Sequence, residues 1–389
     1  MTQGHRNVFR PLAVLLLIFL AAPLQAASLD TRARAAIVID YETGAVLMQK
    51  NADTALPPAS MSKLMTMFMV FEALKEGRIG LTTQFRVSEK AWNMGGSKMF
   101  VRVGDSVSIE NLIRGVIVQS GNDACIVLAE GLAGSEAEFA IRMTQRGREI
   151  GLEKSEFHNA TGWPHAGHRM SARDLATLAT SIIRDYPEYY PYYSERAFTW
   201  EGIEQENRNP LLALEMGADG LKTGHTEEAG YGLVGSAVQN GRRVVFVIMG
   251  LGSTRARAEE AERIVSWAFR EFTPKTLFTR NARVTDADVW LGAANTVGLV
   301  AAQDVTALVP FSDRNAAEVR AVFEGPIEAP IAKGQPVGEL VVTFPGLTDQ
   351  SFPLVAEEDV PEGNFLKKMM ASGMILGQKV IDAASSNAE

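Results

Sequence analysis

Ser60 and Lys63 stand three residues apart in the stretch PPASMSKLMTMF, which begins at Pro57. If this stretch is helical, residues i and i+3 share one face, so the two side chains lie one turn apart. A serine hydroxyl is a weak nucleophile until a neighbour accepts its proton, and no histidine is close in sequence. Lys63 is therefore the candidate base, provided that burial and cations such as Lys222 keep it partly neutral. The simpler interpretation is that Ser60 caps the helix and Lys63 is a solvated surface lysine.

The motif QSGND supplies two further candidates, Ser120 and Asn122, at a predicted break between two helices. The hydroxyl of Ser120 would carry a proton between Lys63 and a leaving amine. The side-chain amide of Asn122 would hold the backbone of a peptide substrate in register. The alternative for Asn122 is that it only caps the following helix.

The motif LKTGHT places Lys222, Thr223 and Gly224 on a predicted strand, followed by His225. An edge strand can pair with an extended substrate, and Gly224 would let that substrate approach without a side-chain clash. Lys222 and Thr223 would bind a terminal carboxylate, while the main-chain N–H groups of Ser60 and His225 would bind a developing oxyanion. Lys222 and Thr223 could instead be an ordinary surface charge and an ordinary strand residue. The His225 ring is a second candidate for the general base.

Local patterns predict the elements that must position these motifs. Two strands joined by a turn at residues 42–44 precede the Ser60 helix, which we expect to end near Glu76, before Gly77. Further helices follow, one of them with Ser171 as its N-cap. Then come three strands, the last two joined by an Asn240-Gly241 turn, and a helix that ends near residue 272. Strands at both ends of residues 28–273 with helices between them predict an α+β domain, a mixed sheet flanked by helices.

The composition changes after Pro274. Residues 274–359 contain short Val-rich stretches separated by Gly and Pro, which predicts a small all-β domain. Residues 360–389 form a tail whose apolar side chains fall mostly on one helical stripe, and these are Phe365, Leu366, Met369, Met370, Met374, Leu376, Val380 and Ile381. Lys367, Lys368 and Lys379 lie off that stripe, so we expect an amphipathic helix lying in the plane of a membrane surface. A helix docked on the β-domain is the alternative; a transmembrane span would need an uninterrupted apolar run of ~20 residues.

The first residues have the composition of a leader. Basic residues precede an apolar run, LAVLLLIFLAA, and small residues follow, which is typical of a secretory signal peptide over residues 1–27, cleaved near Ala26 or Ala27. An uncleaved anchor is the alternative, although the apolar run is short for a span. We therefore expect export to the periplasm.

Charge and cysteine content exclude several classes of protein. The chain has 389 residues and a formal net charge of −8, and it contains no basic tract, which argues against nucleic-acid binding. Cys125 is the only cysteine, so neither an intramolecular disulfide nor a cysteine metal cluster can form. The two histidines of HAGH lack a third ligand, so we expect no metal and no cofactor.

The three motifs occur in the order Ser-x-x-Lys, Ser-x-Asn and Lys-Thr-Gly. Together they match a known signature of β-lactamases and penicillin-binding proteins. The chain resembles the low-molecular-mass penicillin-binding proteins that are D-alanyl-D-alanine carboxypeptidases, in PPASMSKLMT, LIRGVIVQSGNDACIVLAEGLAGSE, MSARDLA, DGLKTGHTEEAGYGLVGSA and PEGNFLKK. The resemblance covers essentially the whole chain.

The resemblance implies a β-lactamase-like transpeptidase domain that removes the terminal D-alanine from peptidoglycan pentapeptide stems and is acylated by β-lactams. It implies Ser60 as nucleophile, Lys63 as base and the main-chain amides of Ser60 and His225 as oxyanion hole. It also implies an arginine that binds the substrate carboxylate, which is Arg257 by its distance from the Lys-Thr-Gly motif, with Arg255 as the alternative. The tail would attach the protein to the outer face of the inner membrane.

Two other functions compete with this interpretation. A serine β-lactamase shares the signature, but class A enzymes need a Glu-x-x-x-Asn motif before the third element. In residues 153–170, neither Glu153 nor Glu156 has an asparagine four positions later. A non-catalytic wall-binding protein on the same fold is the second alternative, and it would have no need for both Ser60 and Lys63.

Overall fold

The computed structural model describes residues 29–311, 317–345 and 347–364. The expected leader and the apolar stripe from Phe365 to Ile381 lie outside these described residues. The helices are α1 (Lys63–Lys75), α2 (Glu89–Asn93), α3 (Ile109–Ile117), α4 (Asn122–Ala133), α5 (Glu136–Glu149), α6 (Ala172–Asp185) and α7 (Thr254–Glu271). The strands that precede or alternate with them are β1 (Ala35–Asp40), β2 (Val46–Lys50), β3 (Gln84–Arg86), β4 (Ser106–Ser108), β5 (Ala197–Trp200), β6 (Ile203–Glu206), β7 (Ala218–Thr226), β8 (Gly230–Gln239) and β9 (Arg242–Leu251).

A five-stranded sheet in the order β2-β1-β9-β8-β7 forms the centre of the first domain. The α+β class is confirmed, but the strand pairing differs from the expected mixed sheet because every neighbouring pair is antiparallel. The reason is that β1 and β2, and then β7, β8 and β9, follow one another through hairpins. At the β8–β9 hairpin, Asn240 and Gly241 both adopt positive φ, as the two-residue turn predicted from this dipeptide requires.

Both faces of this sheet are buried. Along β1, Ile37 packs with α1 and α3–α6 on one face, whereas Ala36 and Val38 pack towards α7 on the other. The same alternation in β9 explains why that strand is apolar almost throughout. Helix α1 lies inside the first layer, since ten of its 13 residues are buried. A helix that is apolar all round belongs in a core, so the Met-rich sequence after Lys63 places that lysine in the interior.

The second part of the chain contains only strands among its described residues. They are β10 (Phe272–Phe278), β11 (Arg283–Trp290), β12 (Thr296–Ala301), β13 (Val305–Pro310), β14 (Glu318–Phe323), β15 (Ile327–Glu328), β16 (Pro336–Thr343) and β17 (Gln350–Ala356). Six of them form a sheet in the order β14-β16-β17-β12-β11-β15, and β10 pairs with β13. The predicted all-β domain is thus confirmed. Leu347 packs against the cores of both domains, and Thr348 Oγ1 accepts a hydrogen bond from the Val46 N–H at the edge of β2.

Within the described residues, no helix combines the length and the apolar composition that a membrane crossing requires.

Candidate active site

Ser60 lies in a 3-10 turn, Ala59–Ser62, that leads directly into α1. Lys63, the first residue of α1, is completely buried. Its Nζ donates hydrogen bonds to Ser60 Oγ, Asn122 Oδ1 and the Thr161 carbonyl oxygen, each at 2.8 Å. Three acceptors match the three N–H bonds of an ammonium group, so the side chain is held in one position with Nζ against Ser60 Oγ. The solvated-lysine alternative is therefore wrong.

Burial makes Lys63 a usable base at moderate pH. Removal from water is the main cause that lowers the pKa of Lys63 from 10.5 to about 8. The positive charge of Arg208 lowers it further, whereas Cys125 and Asp123 raise it. With this pKa, roughly one molecule in ten carries a neutral Lys63 at pH 7.

The Thr161 carbonyl comes from a loop that the sequence did not single out. Asn159 Oδ1 accepts hydrogen bonds from the N–H groups of Thr161, Gly162 and Trp163 and thereby shapes the turn. At Gly162, which has φ +77°, a Cβ would lie 1.9 Å from the Ala59 carbonyl oxygen. Only glycine permits this approach, and it brings the Thr161 carbonyl to Lys63.

Ser120 and Lys222 form a second buried pair. Ser120 has φ +58° and is 2% exposed, and Lys222 Nζ donates to its Oγ at 3.0 Å. Burial, followed by the nearby charge of Lys63, holds the pKa of Lys222 well below its usual value. The surface-charge alternative for Lys222 is therefore wrong.

The side chain of Asn122 bridges Lys63 on α1 and the loop that contains Gly95. It is the first residue of α4, but its side chain does not cap the helix. Instead, Oδ1 accepts from Lys63 and Nδ2 donates to the Gly95 carbonyl at 2.8 Å. The orientation of the amide is thus set by partners on both sides.

The Lys-Thr-Gly motif lies on β7, at the edge of the sheet, as expected. Gly224 serves a purpose different from the expected one. A Cβ at this position would lie 2.8 Å from the Pro58 carbonyl oxygen and 3.1 Å from Met61 Cγ. Its missing side chain therefore lets β7 pack against the turn that carries Ser60. The His225 ring stacks on Tyr231 with 3.8 Å between centroids.

The structure distinguishes the two candidate arginines. Arg257 lies in the first turn of α7 and is 8% exposed, and it lines a cleft of about 470 Å³. The side chain of Arg255 is 88% exposed and pairs with Glu259 at 2.7 Å. Arg257 Nη2 donates to the Arg208 carbonyl at 3.3 Å, and its buried Nε has no partner among the described atoms.

The cleft is lined both by site residues that the sequence predicted and by residues that it did not. It is lined by Ser60, Ser97, Ser120, Arg208, Thr223, Gly224, His225, Tyr231, Thr254 and Arg257. No acidic residue occurs among these lining residues, while the two buried lysines lie behind them. The arrangement can therefore bind an anion beside an activated serine hydroxyl.

Arg208, Ser97 and Thr161 had no recognisable signal in the sequence. Arg208 Nη1 donates to Ser97 Oγ at 2.6 Å across the cleft. Cys125 is fully buried and its pKa is raised to about 12 by burial, as expected of a core residue. Within the described residues, no group of three or more His, Cys, Asp or Glu could hold a metal ion.

Comparisons with known proteins show which family the chain resembles. A family model described as D-alanyl-D-alanine carboxypeptidase matches residues 22–253, and one described as Penicillin-binding protein 5, C-terminal domain matches residues 272–362. The chain is 38% identical to D-alanyl-D-alanine carboxypeptidase DacC of Escherichia coli, over 90% of this chain and 92% of that protein.

Two solved structures are also similar. Penicillin-binding protein 5 from Haemophilus influenzae gives a TM-score of 0.76 at 36% identity, covering 86% of this chain and 99% of that one. Penicillin-binding protein D2 from Listeria monocytogenes in its ampicillin-bound form gives a TM-score of 0.57 at 30% identity, covering 62% of this chain and 99% of that one.

Proposed function

The chain belongs to the D-alanyl-D-alanine carboxypeptidase family of serine peptidases, and we propose that it removes the terminal D-alanine of peptidoglycan stem pentapeptides through an acyl-enzyme on Ser60. The observation that carries this assignment is the 2.8 Å contact between Lys63 Nζ and Ser60 Oγ at the foot of a cationic cleft. No acceptor other than Lys63 is needed for the serine proton.

Substrate binding follows from the charges and the free strand edge. The terminal carboxylate of the peptide binds Arg257 and Thr223, since an anion gains most from a buried guanidinium that lacks full pairing. The peptide backbone lies along β7, and the Asn122 amide holds it from the other side. The carbonyl to be attacked points to the N–H groups of Ser60 and His225.

Acylation then needs one proton transfer in each direction. Neutral Lys63 accepts the proton of Ser60 Oγ as this oxygen bonds to the carbonyl carbon of the penultimate residue. Ser120 gives its hydroxyl proton to the nitrogen of the terminal D-alanine and takes the proton held by Lys63 in its place, and the C–N bond breaks. Lys63 is then neutral again. Water releases the acyl group by the reverse sequence, with Lys63 as the base that accepts its proton.

A labelling experiment tests this assignment. The protein is treated with a fluorescent penicillin, denatured and digested, and mass spectrometry should place the adduct on the peptide that contains Ser60. Ser60→Ala should abolish the label, whereas Ser62→Ala, on the same turn, should still be labelled. An adduct on another peptide, or full labelling of Ser60→Ala, would refute the assignment. Release of D-alanine from a D-Ala-D-Ala peptide must be lost in the same variant.

The same site accounts for β-lactams as covalent inhibitors. Ampicillin is bound in the related structure from Listeria monocytogenes. No carboxylate occurs among the described residues that line the cleft, so a β-lactam acyl-enzyme lacks the glutamate base that class A enzymes use to activate water, and this favours slow release. This property distinguishes a carboxypeptidase from the class A β-lactamases considered as an alternative.

The location of the protein is part of the proposal. The sequence of residues 1–27 favours export to the periplasm, and the stripe from Phe365 to Ile381 favours an in-plane helix on the outer face of the inner membrane. Apolar side chains would lie among acyl chains, with the three nearby lysines at anionic headgroups. The β-domain would then separate the catalytic cleft from the bilayer.

Truncation tests this attachment. Removal of the residues after Glu362 should release the protein into the soluble periplasmic fraction, while penicillin acylation of Ser60 stays unchanged. As a matched variant, replacement of Lys367, Lys368 and Lys379 by glutamine should weaken binding to anionic vesicles and make it less sensitive to salt. A truncated protein that still sediments with membranes contradicts the proposed anchor.

A further inference from the structure

The carboxylate of Asp123 is completely buried at the second residue of α4. Its Oδ1 accepts hydrogen bonds from the N–H groups of Met99 and Ala124 at 2.8 and 2.9 Å. Its Oδ2 accepts from the N–H groups of Phe100 and Val101 at 2.8 and 3.2 Å. Each oxygen of this buried carboxylate is therefore satisfied by two backbone N–H groups.

Three of these four bonds fasten one segment, residues 95–101, to the start of α4. The same segment receives two bonds from Asn122, whose main-chain N–H donates to the Ser97 carbonyl and whose Nδ2 donates to the Gly95 carbonyl. Ser97 lines the cleft and accepts a hydrogen bond from Arg208. Residues 95–101 are therefore one wall of the cleft, and they orient the amide that binds Lys63.

The backbone of this wall is strained where it meets Asp123. Phe100 has φ +69°, although its side chain is large and 47% exposed. Such a conformation costs about 1–3 kcal/mol for a residue other than glycine, and it persists only where the surroundings impose it. The apolar side chain gains little from burial at this position. The N–H bonds from Phe100 and its neighbours to the Asp123 carboxylate supply the constraint.

Asp123 also differs from the other groups around Lys63 in its charge. In the described part of the chain, the charged and titratable groups that face Lys63 are Asp123 and Cys125 on α4, Lys222 on β7, Arg208 on the segment before Pro210, and His168 on the loop before α6. Asp123 is the one acid in this set. No lysine or arginine among the described residues lies within ion-pair distance of its carboxylate.

We propose that Asp123 is a positioning residue for acylation: its carboxylate holds residues 95–101 as a wall of the cleft and thereby fixes the Asn122 amide against Lys63. The negative charge of Asp123 also raises the pKa of Lys63. The inference rests on the proposed roles of Ser60 and Lys63. Asp123 touches neither the serine nor the substrate site, so it acts through the Asn122 amide, the wall and the field at Lys63.

Asp123→Asn tests both parts of this proposal. The amide keeps the size of the side chain, but its NH₂ group faces N–H donors and leaves at least one buried N–H without an acceptor. The second-order rate constant for acylation by a chromogenic penicillin should fall by at least about tenfold, which corresponds to ~1.4 kcal/mol of barrier. The acidic limb of its pH profile should move to lower pH, because Lys63 loses its neighbouring anion.

Asp40→Asn is the matched control. Asp40 is 1% exposed and accepts a hydrogen bond from the Thr43 N–H, but it does not line the cleft. Its replacement should lower the melting temperature without moving the acidic limb of acylation. If Asp123→Asn does not fold, the same comparison is made in a Phe100→Gly background, with Phe100→Gly alone as the reference, since glycine removes the strain at this position.

The outcomes separate this inference from the function on which it rests. Acylation of Asp123→Asn within about threefold of wild type, or an acidic limb that stays in place, contradicts the role of Asp123. An equal loss of acylation in Asp40→Asn contradicts it too, because the effect would then be general destabilisation. A wild-type protein that carries no label on Ser60 contradicts the proposed function and this inference together.

Discussion

The substitution Lys63→Arg tests whether Lys63 acts as the base in acylation or only supplies a positive charge. An unperturbed lysine with a pKa of 10.5 is neutral in ~3 of 10,000 molecules at pH 7. Burial lowers the pKa of Lys63 to about 8, so the neutral fraction rises roughly 300-fold, to about one tenth. A guanidinium keeps its proton at this pH, with a neutral fraction of ~10⁻⁵ or less. Acylation of Lys63→Arg should therefore fall by at least about 1,000-fold.

Stopped-flow acylation with a chromogenic β-lactam measures this directly. In the wild type the rate should rise about tenfold between pH 7 and pH 9, because the neutral fraction of Lys63 grows from about one tenth to about nine tenths. Lys75→Arg, at the exposed end of the same helix, is the matched control and should change neither the rate nor its pH dependence. The melting temperature of each variant shows whether the larger guanidinium is accommodated.

Either of two results would refute this reasoning. Acylation of Lys63→Arg within about tenfold of wild type (~1.4 kcal/mol of barrier) would mean that another group accepts the serine proton. A wild-type rate that is flat between pH 7 and pH 9 would mean that the proton acceptor does not titrate in this range.

Three further predictions follow from the same geometry. Arg257→Ala should raise KM for a D-Ala-D-Ala peptide by about tenfold or more, because a charge-assisted hydrogen bond to the substrate carboxylate is lost. An unchanged KM, or an equal effect of Arg255→Ala, would show that Arg257 does not bind this carboxylate. The β-lactam acyl-enzyme on Ser60 should persist for minutes, and sustained hydrolysis at ~10 per second would show an efficient β-lactamase instead. Burial lowers the pKa of His168 from 6.5 to about 3, so as the pH falls the unfolded state takes up a proton before the folded state does. The free energy of unfolding should therefore decrease by about 2 kcal/mol from pH 7 to pH 5. This loss should be absent in His168→Gln, as measured by denaturant unfolding, and a loss of equal size in that variant would assign it to other groups.

Elements with local signals were predicted well. Ser171 accepts the Asp174 N–H at the start of α6, as an N-cap should, and Gly77 with φ +70° follows the end of α1. The two helices around Ser120 also break where expected, at residues 118–121. In each case the information lies within four or five consecutive residues, because caps and tight turns are satisfied by their own neighbours.

The pairing of strands that are far apart in the chain was harder to predict from the sequence. The short hairpin of β5 and β6 was not predicted, since its two strands are half exposed and lack a clear alternation. The antiparallel arrangement of the central sheet depends on β1 inserting beside β9, a pairing across about 200 residues of chain that no local pattern encodes. Helix and strand identity could be predicted, whereas the order of strands required the three-dimensional packing of both layers.

The candidate site shows the same division between side chains that form motifs and groups that hold them. Ser60, Lys63 and Asn122 belong to recognisable triplets, and the structure brings their side chains into direct contact. The Thr161 carbonyl could not have been found in this way, because every residue has a carbonyl and only the course of the loop selects one.

Gly224 illustrates why the meaning of a residue also depends on the surface that it faces. From sequence, a glycine on an edge strand is explained equally well by a close substrate or by close packing of the protein itself. The 2.8 Å separation between its missing Cβ and the Pro58 carbonyl oxygen selects packing. The third motif and the turn that carries the first are therefore fitted to each other, and Gly224→Ala should disturb the position of Ser60 before it obstructs any ligand. Substrate recognition by β7 then depends on the backbone of residues 222–225 and on Thr223, whose side chain lines the cleft.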